Sequence, residues 1–209
     1  MWFGGFQAFT LSDYPGCVAA IAFTQGCNFR CPFCHNGALL APPSKADCLI
    51  AETEILDRLR ERQGKLEGLV VTGGEPTIHT DLPRFLEQVK GLGYKIKLDT
   101  NGSNPDRLAA LIEDRLVDYI AMDVKAPLEK YERLCGVPVS TRALEESIAV
   151  ISWSKVPHHF RTTLVTPLLS PADVRAIRAI LPSGSKHVTQ RFNPDTALDP
   201  ALRAAAVSA

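Results

Sequence analysis

Cys27, Cys31 and Cys34 stand at spacings of four and three residues in the stretch CNFRCPFC. Fully extended, that stretch reaches about 23 Å, but Gly26 before it and Pro32 within it favour a compact loop able to wrap a small metal group. Three chemistries use such a loop. A structural zinc site takes four Cys or His ligands, often as two spaced pairs; no second pair is present, and Cys48 or His35 would complete it only at an unusual spacing. A disulfide would leave one of three thiols unpaired, in a chain without the secretory segment that implies an oxidising compartment. An iron–sulfur cluster normally takes four cysteines, so one held by three would keep an iron open for a ligand, as catalytic metal sites keep an open position.

The other residues with chemical potential are spread along the chain, most of them just past an apolar run. Gly73, Gly74 and Glu75 open GGEP, Asp99 opens DTNG, Asp123 and Lys125 lie in MDVK, and Arg161 and Gln190 sit within later apolar runs. Each has an ordinary explanation. GGEP serves as a turn needing positive φ, Asp99 as a turn former, and Asp123 with Lys125 as a solvated strand end. Arg161 would be costly to bury unpaired, so it calls for a carboxylate or ribose partner or for an edge position with a snorkelling head. His158 and His159 read as packing or surface residues, Trp2 and Trp153 as core, and Cys17, Cys48 and Cys135 as small buried hydrophobes.

The elements that must position these residues alternate in type. Val18–Phe23, Leu69–Val71, Tyr94–Leu98, Tyr119–Met122, His159–Val165 and Val188–Phe192 read as strands bounded by turn residues. Between them, Glu52–Arg62, the stretch marked by Leu82, Phe85, Leu86 and Val89, a segment opened by Asn104 and Pro105, one capped by Ser140 or Thr141, and one starting at Ser170 and Pro171 read as helices. Asp199 and Pro200 open a last alanine-rich helix. Residues 1–16 read as a hairpin or lead-in strand capping one end of the core, Pro42–Lys45 as a flexible connection, and the stretch holding Pro127 and Pro138 as looser chain. Six strands alternating with helices imply right-handed parallel βα units, with every chemical motif at a strand's carboxyl end, where α/β proteins gather their sites. The expected organisation is one domain over 1–209, with the lead-in at 1–16, a barrel at 17–192 and a closing helix at 193–209.

Composition bounds the partners. Lys plus Arg total 23 and Asp plus Glu total 23, so no field of one sign favours nucleic acid or a membrane surface. No apolar run has the length of a membrane span and no signal peptide is evident, which points to the cytoplasm.

The cysteine spacing, with the aromatic Phe33 before the last cysteine, resembles the radical S-adenosylmethionine (SAM) enzymes. That resemblance implies a partial (βα)6 TIM-type barrel, one 4Fe-4S cluster on Cys27, Cys31 and Cys34, and SAM chelated by the fourth iron. It also implies that Gly73, Gly74 and Glu75 bind the methionyl amino group, with Gln190 near the adenine. The wider pattern, GGFQAFTLSDYPG, CNFRCPFCHN, GGEP, KLDTNG, AMDVKAPLEKY and FRTTLVTP, resembles the activating proteins of anaerobic ribonucleoside-triphosphate reductase. From it follow the expectations of a glycyl-radical enzyme as partner and a flavodoxin- or ferredoxin-like electron donor. A monovalent cation is implied as well, held by Asp99 and Asp123 with backbone oxygens near Thr100 and Ala121, and Lys125 would face the SAM carboxylate. The alternatives are a small radical SAM enzyme acting on a free metabolite, resembling 7-carboxy-7-deazaguanine synthase, and a noncatalytic Fe-S or zinc binding module.

Overall fold

Parallel strands buried on both faces need cover on each, and the computed structural model, which describes residues 1–40, 49–166 and 168–205, supplies it with helices on one side and inward-facing side chains on the other. Strands β2 (Ala19–Thr24), β4 (Gly68–Gly73), β5 (Lys95–Thr100), β6 (Tyr119–Asp123), β7 (His158–Leu164) and β8 (His187–Arg191) run parallel in that order. Helices α1 (Glu52–Arg60), α2 (Leu82–Gly91), α3 (Pro105–Glu113), α5 (Thr141–Trp153) and α6 (Pro171–Ile180) connect them. Asn104 and Ser170 cap α3 and α6 as read from the sequence, Ser170 within a reciprocal capping box with Asp173. The sheet does not close, and the fold is a partial (βα)6 TIM-type barrel.

Two apolar assemblies form, because alternate strand residues face opposite ways. The larger lies between sheet and helices and includes Leu69, Val71, Ile96, Leu98 and Phe160. The smaller fills the inner face near the strand starts with Tyr14, Cys17, Ala19, Ile21 and Val70.

Several sequence expectations change. The lead-in does not cap an end of the core: β1 (Trp2–Thr10) pairs antiparallel with β2, and the two-residue β3 (Ile50–Ala51) pairs outside it. Trp2 and Trp153 are not core residues, being 55% and 87% exposed. Trp2 alternates with the fully buried Phe3, and Trp153 lies two residues, about 200°, past the buried Ile151 on α5. The stretch after Pro127 is not loose, since Tyr131–Cys135 forms the short helix α4, ended by Gly136 in a left-handed conformation. The proposed linker Pro42–Lys45 and Cys48 lie outside the described residues.

Beyond β8 the chain returns across the barrel's open side. Phe192 stacks on His35 with ring centroids 5.6 Å apart, the Asp199 N–H donates to the Pro32 carbonyl at 2.8 Å, and Ala197 is fully buried. Helix α7 (Pro200–Ala205) follows, and Arg203 Nε donates to the Ala197 carbonyl at 2.6 Å.

Candidate active site

The parallel strands bring their carboxyl ends to one edge, and a cavity of about 820 Å³, counted out to its open mouth, lies there. Its wall contains the residues that the sequence pointed to for the cluster and SAM: Cys27, Cys31, Phe33 and Cys34 after β2; Gly73, Gly74 and Glu75 at and after β4; Asp99 on β5; Asp123 on β6 and Lys125 just beyond; Arg161 on β7; Gln190 on β8.

The cysteine loop is pinned from several sides. Arg30 N–H donates to the Cys135 carbonyl at 2.7 Å, Cys34 N–H to the Cys31 carbonyl at 3.0 Å, and Asn36 Nδ2 to the Gly73 carbonyl at 3.2 Å. A Cβ on Gly74 would strike the Gly26 carbonyl oxygen, and one on Gly73 would strike the Thr24 main chain. The glycine pair therefore lets two backbones, GGEP and the start of the cysteine loop, pack directly on each other. Glu75 is turned inward: Oε1 accepts from Thr77 N–H, Thr77 Oγ1 and Thr100 Oγ1 at 3.1, 2.6 and 2.8 Å, and Oε2 from Asn101 N–H at 2.6 Å. Its carboxylate ties GGEP to DTNG, and burial raises its pKa against those four donors.

Burial raises the Cys27 thiol to about 11 and the Cys34 thiol upward too, whereas Cys31 is held below the usual thiol range, chiefly by a hydrogen bond from Cys135. Cys135, at the end of α4, is fully buried behind Cys31 and does not line the cavity. The sequence reading gave it no role, and its only signal was an apolar turn ending at Gly136.

On the inner face a chain of charges crosses three strands. Lys97 Nζ pairs with Asp99 Oδ1; Arg161 donates to Asp99 Oδ2 at 3.4 Å and to Asp123 Oδ1 at 2.6 Å; Lys125 Nζ donates to Asp123 Oδ2 at 3.3 Å. Thr72 Oγ1 also donates to Asp99 Oδ2, at 3.3 Å. Burial works against the ionised Asp123, but the Arg161 and Lys125 charges outweigh it and hold the carboxyl far below the usual range. The sequence reading missed Lys97, although its spacing of two from Asp99 puts both on one strand face. It also missed Tyr131 as an anchor: its hydroxyl donates to the Asp123 carbonyl at 3.3 Å and accepts from Lys125 N–H at 3.2 Å.

A model of the Radical SAM superfamily matches residues 21–188, from the second strand into the eighth. The chain belongs to the radical SAM superfamily. Among its relatives, a protein of Methanocaldococcus jannaschii provisionally named a glycyl-radical enzyme activating enzyme is 29% identical over 90% of this chain and 78% of its own. The 7-carboxy-7-deazaguanine synthase of Neisseria meningitidis serogroup B is 33% identical over 52% of this chain and 45% of its own. In fold, the chain is similar to native anSMEcpe with bound AdoMet, with a TM-score of 0.62 at 15% identity over 86% of this chain and 54% of that one. Radical SAM membership implies a 4Fe-4S cluster and SAM. The donor set fits them: three thiols share one wall, the fourth thiol nearby sits behind that wall, and open polar space faces the three. Among the described residues, no helix is long and apolar enough to cross a membrane.

Proposed function

We propose that this radical SAM enzyme is a glycyl-radical-enzyme activase whose target is anaerobic ribonucleoside-triphosphate reductase. When bound, the cluster and SAM supply reductive cleavage of a carbon–sulfur bond: one electron from a flavodoxin- or ferredoxin-like donor yields methionine and a 5′-deoxyadenosyl radical, which takes a hydrogen atom from a glycine Cα and leaves as 5′-deoxyadenosine. The observation that carries the reading is the extent of the match to the M. jannaschii protein, which spans 90% of this chain and 78% of that one. The match to the deazaguanine synthase, by contrast, covers about half of each chain.

In this reading Cys27, Cys31 and Cys34 hold the cluster, and the buried Phe33, which precedes Cys34, keeps water from it. Lys125, anchored through Asp123, meets the SAM carboxylate; Gly73, Gly74 and Glu75 shape the wall beside the methionyl amino group; and Gln190, steadied by its bond to Thr163 Oγ1 at 2.7 Å, faces the adenine side. A glycine strand of the partner enters the open mouth and brings its Cα within about 3 to 3.5 Å of the reacting carbon.

The decisive experiment mixes reduced, cluster-loaded protein, SAM and the anaerobic reductase of the same organism and records electron paramagnetic resonance. A glycyl doublet that disappears when the target glycine becomes Ala is the expected result. Consumption of a small metabolite in step with 5′-deoxyadenosine, with no protein radical, would favour the metabolite enzyme instead. Lys125→Ala removes a charge-assisted contact worth about 1.5 to 3 kcal/mol, so SAM should bind about tenfold to 150-fold more weakly by calorimetry. Unchanged affinity would remove Lys125 from the site.

A further inference from the structure

The resemblance to glycyl-radical activases calls for a monovalent cation between Asp99 and Asp123, but each carboxylate oxygen that ion would bind already faces a cation of this chain, whose charge would repel it. All four carboxylate oxygens of the two aspartates have a cationic donor from this chain: Lys97 on Asp99 Oδ1, Arg161 on Asp99 Oδ2 and Asp123 Oδ1, and Lys125 on Asp123 Oδ2. Arg161 stands directly opposite Asp123 in the β6–β7 register. Its guanidinium thus bridges the two carboxylates with separate nitrogens, the fork geometry that makes arginine fit such a place better than a point charge. Ala121, whose carbonyl was to complete the ion's shell, stands in the paired ladder of β5, β6 and β7, where main-chain oxygens are spent on neighbouring strands.

Lys97 supplies a further built-in cation. Its side chain is 2% exposed, and an ammonium so placed is tolerated only against a charge partner. On the inner face it has Asp99 one step along the strand and Tyr119 opposite it in the β5–β6 register. We infer that Lys97 and Arg161 replace the monovalent metal ion with built-in cations, so that Asp99 and Asp123 are positioning residues for Lys125 rather than metal ligands. Two aspartates against three cations leave one positive charge in surplus, and Lys125, at the cavity end of the chain, is where an incoming carboxylate meets it.

This inference deepens the proposed function, because it concerns the same receptor for SAM, and its test separates the two. Calorimetric SAM binding to cluster-loaded protein is measured at constant ionic strength with potassium, sodium or tetramethylammonium as the monovalent cation. The expected dissociation constants agree within about twofold; a loss of tenfold or more in tetramethylammonium, with recovery in potassium or sodium, overturns the inference. The second arm uses cluster-free protein without SAM and follows the melting midpoint against potassium and sodium, with tetramethylammonium as reference. The parent should show no specific response. Lys97→Met, which keeps length but frees Asp99 Oδ1, should gain a saturable one, about 3 to 6 °C at ten times the ion's dissociation constant. A specific response in the parent overturns the inference, as does its lack in a folded Lys97→Met; the parent's melting decides the matter where the variant cannot be purified. Failure to bind SAM in any salt would count against the proposed function, while the melting arm still judges the built-in cations.

Discussion

At the scale of single residues, the four thiols around the cavity divide into three that face it and one behind. Replacing Cys27, Cys31 or Cys34 with Ala should each abolish the broad visible absorption and the bound iron and sulfide of the reconstituted protein, whereas Cys135→Ala should retain them. Iron retained in all three single variants, or lost in Cys135→Ala, would reverse that division. His159 carries a separate, pH-dependent signature. Its ring accepts from or donates to the Tyr119 hydroxyl at 3.0 Å, and burial, followed by the charges of Lys97 and Arg161, lowers its pKa to about 4, with Asp99 opposing and Lys186 adding to the shift. A free histidine titrates at about 6.5, so between those two values the unfolded chain binds a proton that the folded one refuses. The stability is therefore fully present above the unfolded pKa and is lost as pH falls toward 4. Urea midpoints at pH 7 and pH 5 should differ more in the parent than in His159→Asn; equal differences would show that another group governs that window.

At the scale of elements, the strands and helices were legible wherever apolar periodicity ran for a full strand or several helical turns. The six parallel strands and the caps at Asn104, Ser140 and Ser170 follow from local chemistry alone, and so does the gathering of every motif at one sheet edge. What escaped the sequence is held by distant partners. Helix α4 is too short to show a period and persists because Tyr131, Leu134 and Cys135 are buried; β3 exists only as a partner for β1. The burial of Trp2 and Trp153 was misjudged because residue type stood in for facing direction. GGEP shows the same dependence on distant partners: a turn needing positive φ explains Gly73, but the contact that demands both glycines is backbone on backbone. Gly74→Ala should therefore act as overpacking between two elements, costing about 1 to 3 kcal/mol in urea denaturation and lowering iron content. Unchanged stability would mean that the turn gives way freely.

At the scale of the whole molecule, the open barrel is joined across its gap by the segment after β8. Ala197 is fully buried, and its neighbours Phe192 and Asp199 hold His35 and Pro32. Ala197→Arg should lift this strap while leaving the far-ultraviolet dichroism of the barrel intact, and a chelator should then strip iron from the reconstituted variant faster than from the parent. Equal stripping rates would mean that the strap does not guard the loop. The strap's position also sets an order of events in the cell. A ribosome adding about 5 to 20 residues per second makes Asp199 roughly ten to thirty seconds after Cys34, so the thiols are synthesised long before the segment that clamps their loop. For that interval the loop lacks its contacts to Phe192 and Asp199, and insertion of a cluster into a clamped loop must follow synthesis of the strap.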